Sequence, residues 1–232
     1  MTASPTTEAA GSGDGGAPGR RPAPDAARRA RRRRVVALAI GVPVVLAAVA
    51  YLALQWFRPH VYSGTVLQAP EAAPSMDGLV YATGEPVDLA AFAGDVVLVY
   101  FGYTHCPDVC PTTLAMTARA LDDLGAGAED VHVMMVTVDP ARDTPDLLDG
   151  YVRSFDPSFA AVTGDVADIE RVATTYGVYF AEDEVPEGED PDSYTVTHTA
   201  SLMGIDTDGH LRVVWPWGVT ADDLRTDIDA LR

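Results

Sequence analysis

The hydrophobic positions show two regimes along the chain. Residues 1–27 are rich in Ala, Gly, Pro and Thr without an apolar period, which predicts an unstructured segment. Residues 35–54 are then twenty consecutive positions without a charge. At about 1.5 Å of rise per residue they just cross a bilayer core of about 30 Å. Gly41 and Pro43 are tolerated in such a helix, and Tyr51 and Trp56 suit its far interface. The arginine cluster 28–34 abuts the near end. The positive-inside rule therefore makes 1–34 a basic cytoplasmic tail and 35–56 a single anchor in the cell membrane, with everything beyond it extracytoplasmic. A cleaved signal competes, since Ala48-Val49-Ala50 looks like a cleavage site. The length of the apolar run favours an uncleaved anchor, and both readings export the rest.

A linker over 57–77 precedes a domain over 78–232 with short, closely spaced periodic segments. Residues 78–92 (GLVYATGEPVDLAAF) predict a β-hairpin turning near Gly84. The run 96–100 (VVLVY) suits a buried central strand, and 101–111 a loop. Residues 112–124 have helical spacing, with Leu114, Ala118 and Leu121 on one face. A strand over 131–138 leads to a helix over 145–155, with Thr144 as its N-cap. A short strand over 159–162 and a helix over 166–176, stopped by Gly177, come next. The loop 181–193 is acidic. Strands over 201–205 and 210–215 flank Asp206-Thr207-Asp208-Gly209, and Thr220 caps a last helix over 221–231. This order of elements predicts an α/β sandwich with a mixed central sheet and an N-terminal β-hairpin.

Charge divides the chain as sharply as hydropathy does. Before Trp56, eight Arg face three acids, a net +5; from Phe57 onward, eight Arg face 31 acids, a net −23, and the two make up the total of −18. There is no Lys. So acidic a domain repels nucleic acid and attracts cations or basic protein surfaces, although a solvated surface accounts for the charge equally well.

Only two cysteines occur, four apart, in Cys106-Pro107-Asp108-Val109-Cys110-Pro111. Two nearby thiols cannot staple a domain of this size, so they read as a site. The loop leaves the carboxyl end of a central strand, where open sheets gather their ligands. Pro111 suits the first position of a helix, which places Cys110 near the N-cap, where the helix dipole favours a thiolate. His105 adds a neighbour for Cys106. Such a pair can bind copper(I), form a disulfide, or do both. Of the five histidines, His60 reads as a surface residue and His132 and His210 as structural. His105 turns away from a shared metal. His198 closes the acidic loop and opens the next strand, so it is the histidine best placed to complete a metal site, without being assigned by position alone.

The stretch 97–112 (VLVYFGYTHCPDVCPT) resembles the signature of the Sco/SenC family of membrane-anchored, thioredoxin-like copper proteins. Three more segments fit that family in the same order: 136–145 (VTVDPARDTP) with Asp139 and Asp143, 195–201 (TVTHTAS), and 213–219 (VVWPWGV). The resemblance covers 78–232 and the single anchor. It implies a thioredoxin-like fold and copper held by Cys106, Cys110 and His198. It also implies delivery to the binuclear copper site of cytochrome c oxidase subunit II, and Asp139 near the metal as a group that orients a ligand or docks a partner. As a strand-end residue, Asp139 equally suits the capping of the turn that follows, and Arg142 with Asp143 reads as a local ion pair.

Two further functions use the same residues. A thiol–disulfide oxidoreductase would use Cys106 and Cys110 as a redox pair against a client disulfide and would draw on a thiol–disulfide reductant. A membrane sensor is disfavoured by the short, featureless tail, and a peroxidase by the lack of recognisable Thr and Arg partners for a peroxidatic thiol.

Overall fold

Ala and Arg are strong helix formers, and in the computed structural model helix α1 (Pro24–Trp56) begins eleven residues ahead of the apolar run. The arginine cluster is therefore helical, where the sequence predicted a tail without structure. The structure describes residues 24–56, 60–68, 71–188 and 190–232. The unstructured segment expected over 1–23 lies outside the described residues. The stretch Ala26–Leu54 is long and apolar enough to cross a membrane, and its side chains are exposed. The chain divides into two units, Met1–Pro59 and His60–Arg232.

The second unit is built on a seven-stranded mixed sheet in the order β1-β9-β8-β3-β4-β5-β2. Its strands are β1 (Thr65–Val66), β2 (Leu79–Tyr81), β3 (Val96–Gly102), β4 (Val131–Thr137), β5 (Ala160–Gly164), β8 (Leu202–Ile205) and β9 (Leu211–Trp215). The β3–β4 and β4–β5 pairs are parallel, and the other neighbours are antiparallel. All seven residues of β3 are buried, as expected of a continuous β-branched and aromatic run in the middle of a sheet. Helices α2 (Val109–Leu124), α3 (Pro145–Arg153), α4 (Val166–Thr175) and α5 (Ala221–Leu231) pack on this sheet, α2 beside α5 and α3 and α4 beside β5. Thr220 caps α5 as predicted, its hydroxyl accepting the Asp223 N–H at 3.2 Å.

Four local predictions need correction. The 78–92 hairpin closes at Gly84, whose φ of 95° suits glycine, but its return arm makes only the Val80–Pro86 bridge, held by Tyr81 N–H on the Glu85 carbonyl and Val87 N–H on the Leu79 carbonyl. Residues 57–77 are more than a linker, since β1 pairs with β9 along the sheet edge; two residues are too short for a readable period. Thr144 stands at the N-cap of α3, but its hydroxyl makes no capping bond. Two short strands, β6 (Phe180–Glu182) and β7 (Val196–His198), flank the acidic loop and form a separate ladder that pairs Phe180 with His198. His198 thus ends an arm outside the main sheet instead of opening β8.

Candidate metal centre

The site lies where β3 ends and α2 begins. Tyr100 and Phe101 anchor the strand in the core, and Tyr103 through Asp108 form the connecting loop. Helix α2 starts at Val109, two residues earlier than Pro111 suggested. Pro111 still falls among the first N–H positions that lack helical partners, so its missing donor breaks no helical bond. A Cβ at Gly102 would stand 2.7 Å from Tyr100 Cε1 and 3.0 Å from Cys110 Sγ, so glycine is what lets the strand end pass under the second cysteine.

Cys106 and Cys110 are both free thiols, and Cys110 is fully buried. Their sulfurs and one His198 ring nitrogen all lie within 4.8 Å of one another. Cys110 Sγ is 3.4 Å from His198 Nε2, and the Cys110 N–H points at Cys106 Sγ at 3.3 Å. His198 Nδ1 lies 3.3 Å from the Thr199 carbonyl oxygen, a contact that orients the ring with Nε2 toward the sulfurs. Tyr100 and Tyr103 meet the imidazole edge-on, with ring centroids 6.2 and 5.8 Å away.

The charge settles on one sulfur. The Cys110 S–H, His198, and the N–H groups of Cys110 and Asp108 together outweigh burial and hold the Cys106 thiol well below its usual range. Cys110 is pushed the other way, by that adjacent thiolate and by its own burial. This reverses the sequence expectation, which gave the helix-stabilised thiolate to Cys110. The free N–H at the start of α2 serves the sulfur in front of the helix, not the one within its first turn.

Asp139 sits at the end of β4, 2% exposed, and does not bond to the three clustered donors. Its carboxylate accepts Arg142 Nε–H at 2.6 Å and the Tyr194 hydroxyl at 2.7 Å, and Arg142 Nη1 donates to the Tyr194 carbonyl at 2.8 Å. Asp143 is not the partner of Arg142. It is buried, accepting the Thr104 N–H and hydroxyl and the Thr137 hydroxyl, with His105 Nδ1 3.8 Å away. His105 turns from the sulfurs, as expected. His132 and His210 rest against Asp95 and Asp206. His60 is exposed, as read, and its ring also bonds the buried Asp227 at 2.6 Å. Tyr194, Tyr103 and Asp227 were missed by sequence reasoning; a lone Tyr or Asp between strands carries no local signal of its partner.

Two sulfurs and one imidazole nitrogen form a soft donor set of the kind that selects copper(I), and the chemistry of these residues fits copper. The same arrangement, a thiolate beside a buried thiol, also fits disulfide exchange.

The SCO1/SenC family model matches residues 76–231. The chain is 34% identical over 131 residues to the SCO2-like protein RP587 of Rickettsia prowazekii, covering 56% of this chain and 63% of that protein. It is 36% identical over 129 residues to the human mitochondrial Protein SCO1 homolog, covering 55% and 42%. It thus spans less than two thirds of either relative. The solved structure of Bradyrhizobium japonicum ScoI with copper bound superposes with a TM-score of 0.59 at 34% identity, covering 71% of this chain and 98% of that one. The fold is the α/β sandwich that the order of elements predicted and the thioredoxin-like fold that the resemblance implied. With a family model matched over about two thirds of its length, the chain belongs to the SCO1/SenC family.

Proposed function

We propose that this protein is a copper metallochaperone that takes up one copper ion on Cys106, Cys110 and His198 and passes it to the binuclear copper site of cytochrome c oxidase subunit II. The observation that carries the reading is the convergence of two sulfurs and one imidazole nitrogen within 4.8 Å, in a chain similar to a ScoI structure with copper bound. Copper is cargo here, and the chain's residues prepare its seat. The N–H groups at the start of α2 stabilise the Cys106 thiolate, and the Thr199 carbonyl aims the His198 ring. His198 stands on an arm outside the main sheet, so its departure leaves copper on two thiolates that an acceptor's ligands displace in turn. Helix α1 is read as the anchor in the cell membrane, with the N-terminus cytoplasmic and the acidic, copper-carrying domain outside.

The test is copper binding and transfer by the full-length chain in detergent micelles. One copper per chain is expected, lost in Cys106→Ser/Cys110→Ser and weakened in His198→Ala, with transfer to an apo subunit II copper domain. Binding indifferent to both changes would overturn the proposal.

The asymmetry of the cysteine pair favours a second reading. Cys106 as thiolate attacks a client disulfide, and Cys110 resolves the mixed disulfide. The client gains two electrons, Cys106 and Cys110 become a disulfide, and an extracytoplasmic thiol reductant restores them. Exchange of this kind needs no His198, so His198→Ala separates the two activities.

A further inference from the structure

We infer that Asp139, Arg142 and Tyr194 form a clamp that sets the position of the His198 arm, which makes Tyr194 and Arg142 positioning residues for metal capture. The inference rests on the copper reading above. The β6–β7 ladder is no part of the main sheet, so its place over the cysteines must come from side chains. Asp139 is buried two residues beyond Thr137, the last residue of β4 paired with β3. One of its oxygens takes Arg142 Nε–H, and the other takes the hydroxyl of Tyr194, four residues before His198. The Arg142 guanidinium lies 3.5 Å from the centre of the Tyr194 ring and also donates to the Tyr194 carbonyl. One cation thus grips both the ring and the backbone of the arm. Nearer the metal, the Val196 N–H donates to the Tyr103 hydroxyl at 3.1 Å, which ties the arm to the cysteine loop itself. On the far side of His198, the Thr199 N–H returns to the Tyr179 carbonyl. That last bond is a further rung of the arm, so the arm is tied to the rest of the domain on the N-terminal side of His198, through Tyr194 and Val196.

An apolar contact would hold the arm without direction. A carboxylate, a guanidinium and a phenol joined by hydrogen bonds fix its register as well, and they come apart as a unit when one partner is lost. Metal sites commonly lose about tenfold or more in affinity when a group that orients a ligand is removed.

The experiment compares wild type, Tyr194→Phe and Arg142→Ala as full-length chains in detergent micelles, with two readouts. Without metal, hydrogen exchange at the amides of 196–198 should accelerate about tenfold in the variants while exchange in β3 stays unchanged. With copper, retention against a competing chelator should fall about tenfold, and Tyr194→Phe should cause no further loss in a His198→Ala background. Unchanged exchange at 196–198, or an equal copper loss with and without His198, would overturn the clamp. Failure of wild type to bind copper would instead sink the metallochaperone reading and leave the exchange measurement to judge the clamp.

Discussion

At Gly102 a single methyl group decides whether Cys110 keeps its place. The added carbon would press on Tyr100, on Cys110 Sγ and on Met135, all parts of a fully buried layer with little room to give. Gly102→Ala is therefore expected to cost roughly 1–3 kcal/mol in denaturant unfolding and to weaken copper retention as the sulfur shifts. The neighbouring thiolate makes a second prediction. Because the Cys106 thiol is held well below its usual range, alkylation of the metal-free chain should fall on Cys106 and stay level from about pH 8 to about pH 6. Mass spectrometry of the labelled peptides checks this, and a rate falling tenfold per pH unit across that window would contradict it. The cysteines and the spacing of prolines around them were legible in the sequence, because a short motif carries its own chemistry, whereas His198 was singled out as a ligand only by the family resemblance. The identity of the thiolate was not, since it depends on which sulfur lies in front of the helix N–H groups after folding.

Between elements, Asp227 joins three parts of the chain that are far apart in sequence. It sits in α5, buried, and accepts Trp215 Nε1–H from β9 at 2.7 Å, the Ser63 N–H at 2.9 Å and its hydroxyl, and His60 at 2.6 Å. Burial alone would raise its ionisation range, but the bonds from Ser63, Trp215 and His60 outweigh it and hold the carboxyl below its ordinary value. The sign follows: this network's stabilisation is present above the usual carboxylate range and is lost as pH falls through the folded-state value. Asp227→Asn should cost roughly 2–4 kcal/mol near neutral pH in denaturant unfolding, and the gap to wild type should narrow in acid. The strands and helices of the domain were legible wherever an apolar run or a helical stripe exceeded four residues, as in β3, β4 and α2. β1, β6 and β7 are two or three residues long, and they exist because a distant edge or a partner strand accepts their backbone groups. No local pattern records that.

On the scale of the molecule, polarity runs in one direction, from a basic, helical N-terminal segment through an apolar span to a portion from Phe57 onward of net charge −23. That order predicts topology. In sealed right-side-out membrane vesicles, protease should remove the domain that contains Cys106 and leave the arginine cluster protected. Digestion of the domain only in inside-out vesicles would reverse the orientation. The same charge should make association with a basic acceptor faster at low salt and slower as screening grows.

On the proposed function, one copper ion joins Cys106, Cys110 and His198, whose donor atoms lie within 4.8 Å of one another. X-ray absorption spectroscopy of the copper(I)-loaded full-length chain tests it most directly, with His198→Ala as the paired sample. Two sulfur ligands and one imidazole nitrogen are expected in the wild type, with loss of the imidazole signal in the variant. Two sulfurs alone in both samples would contradict it.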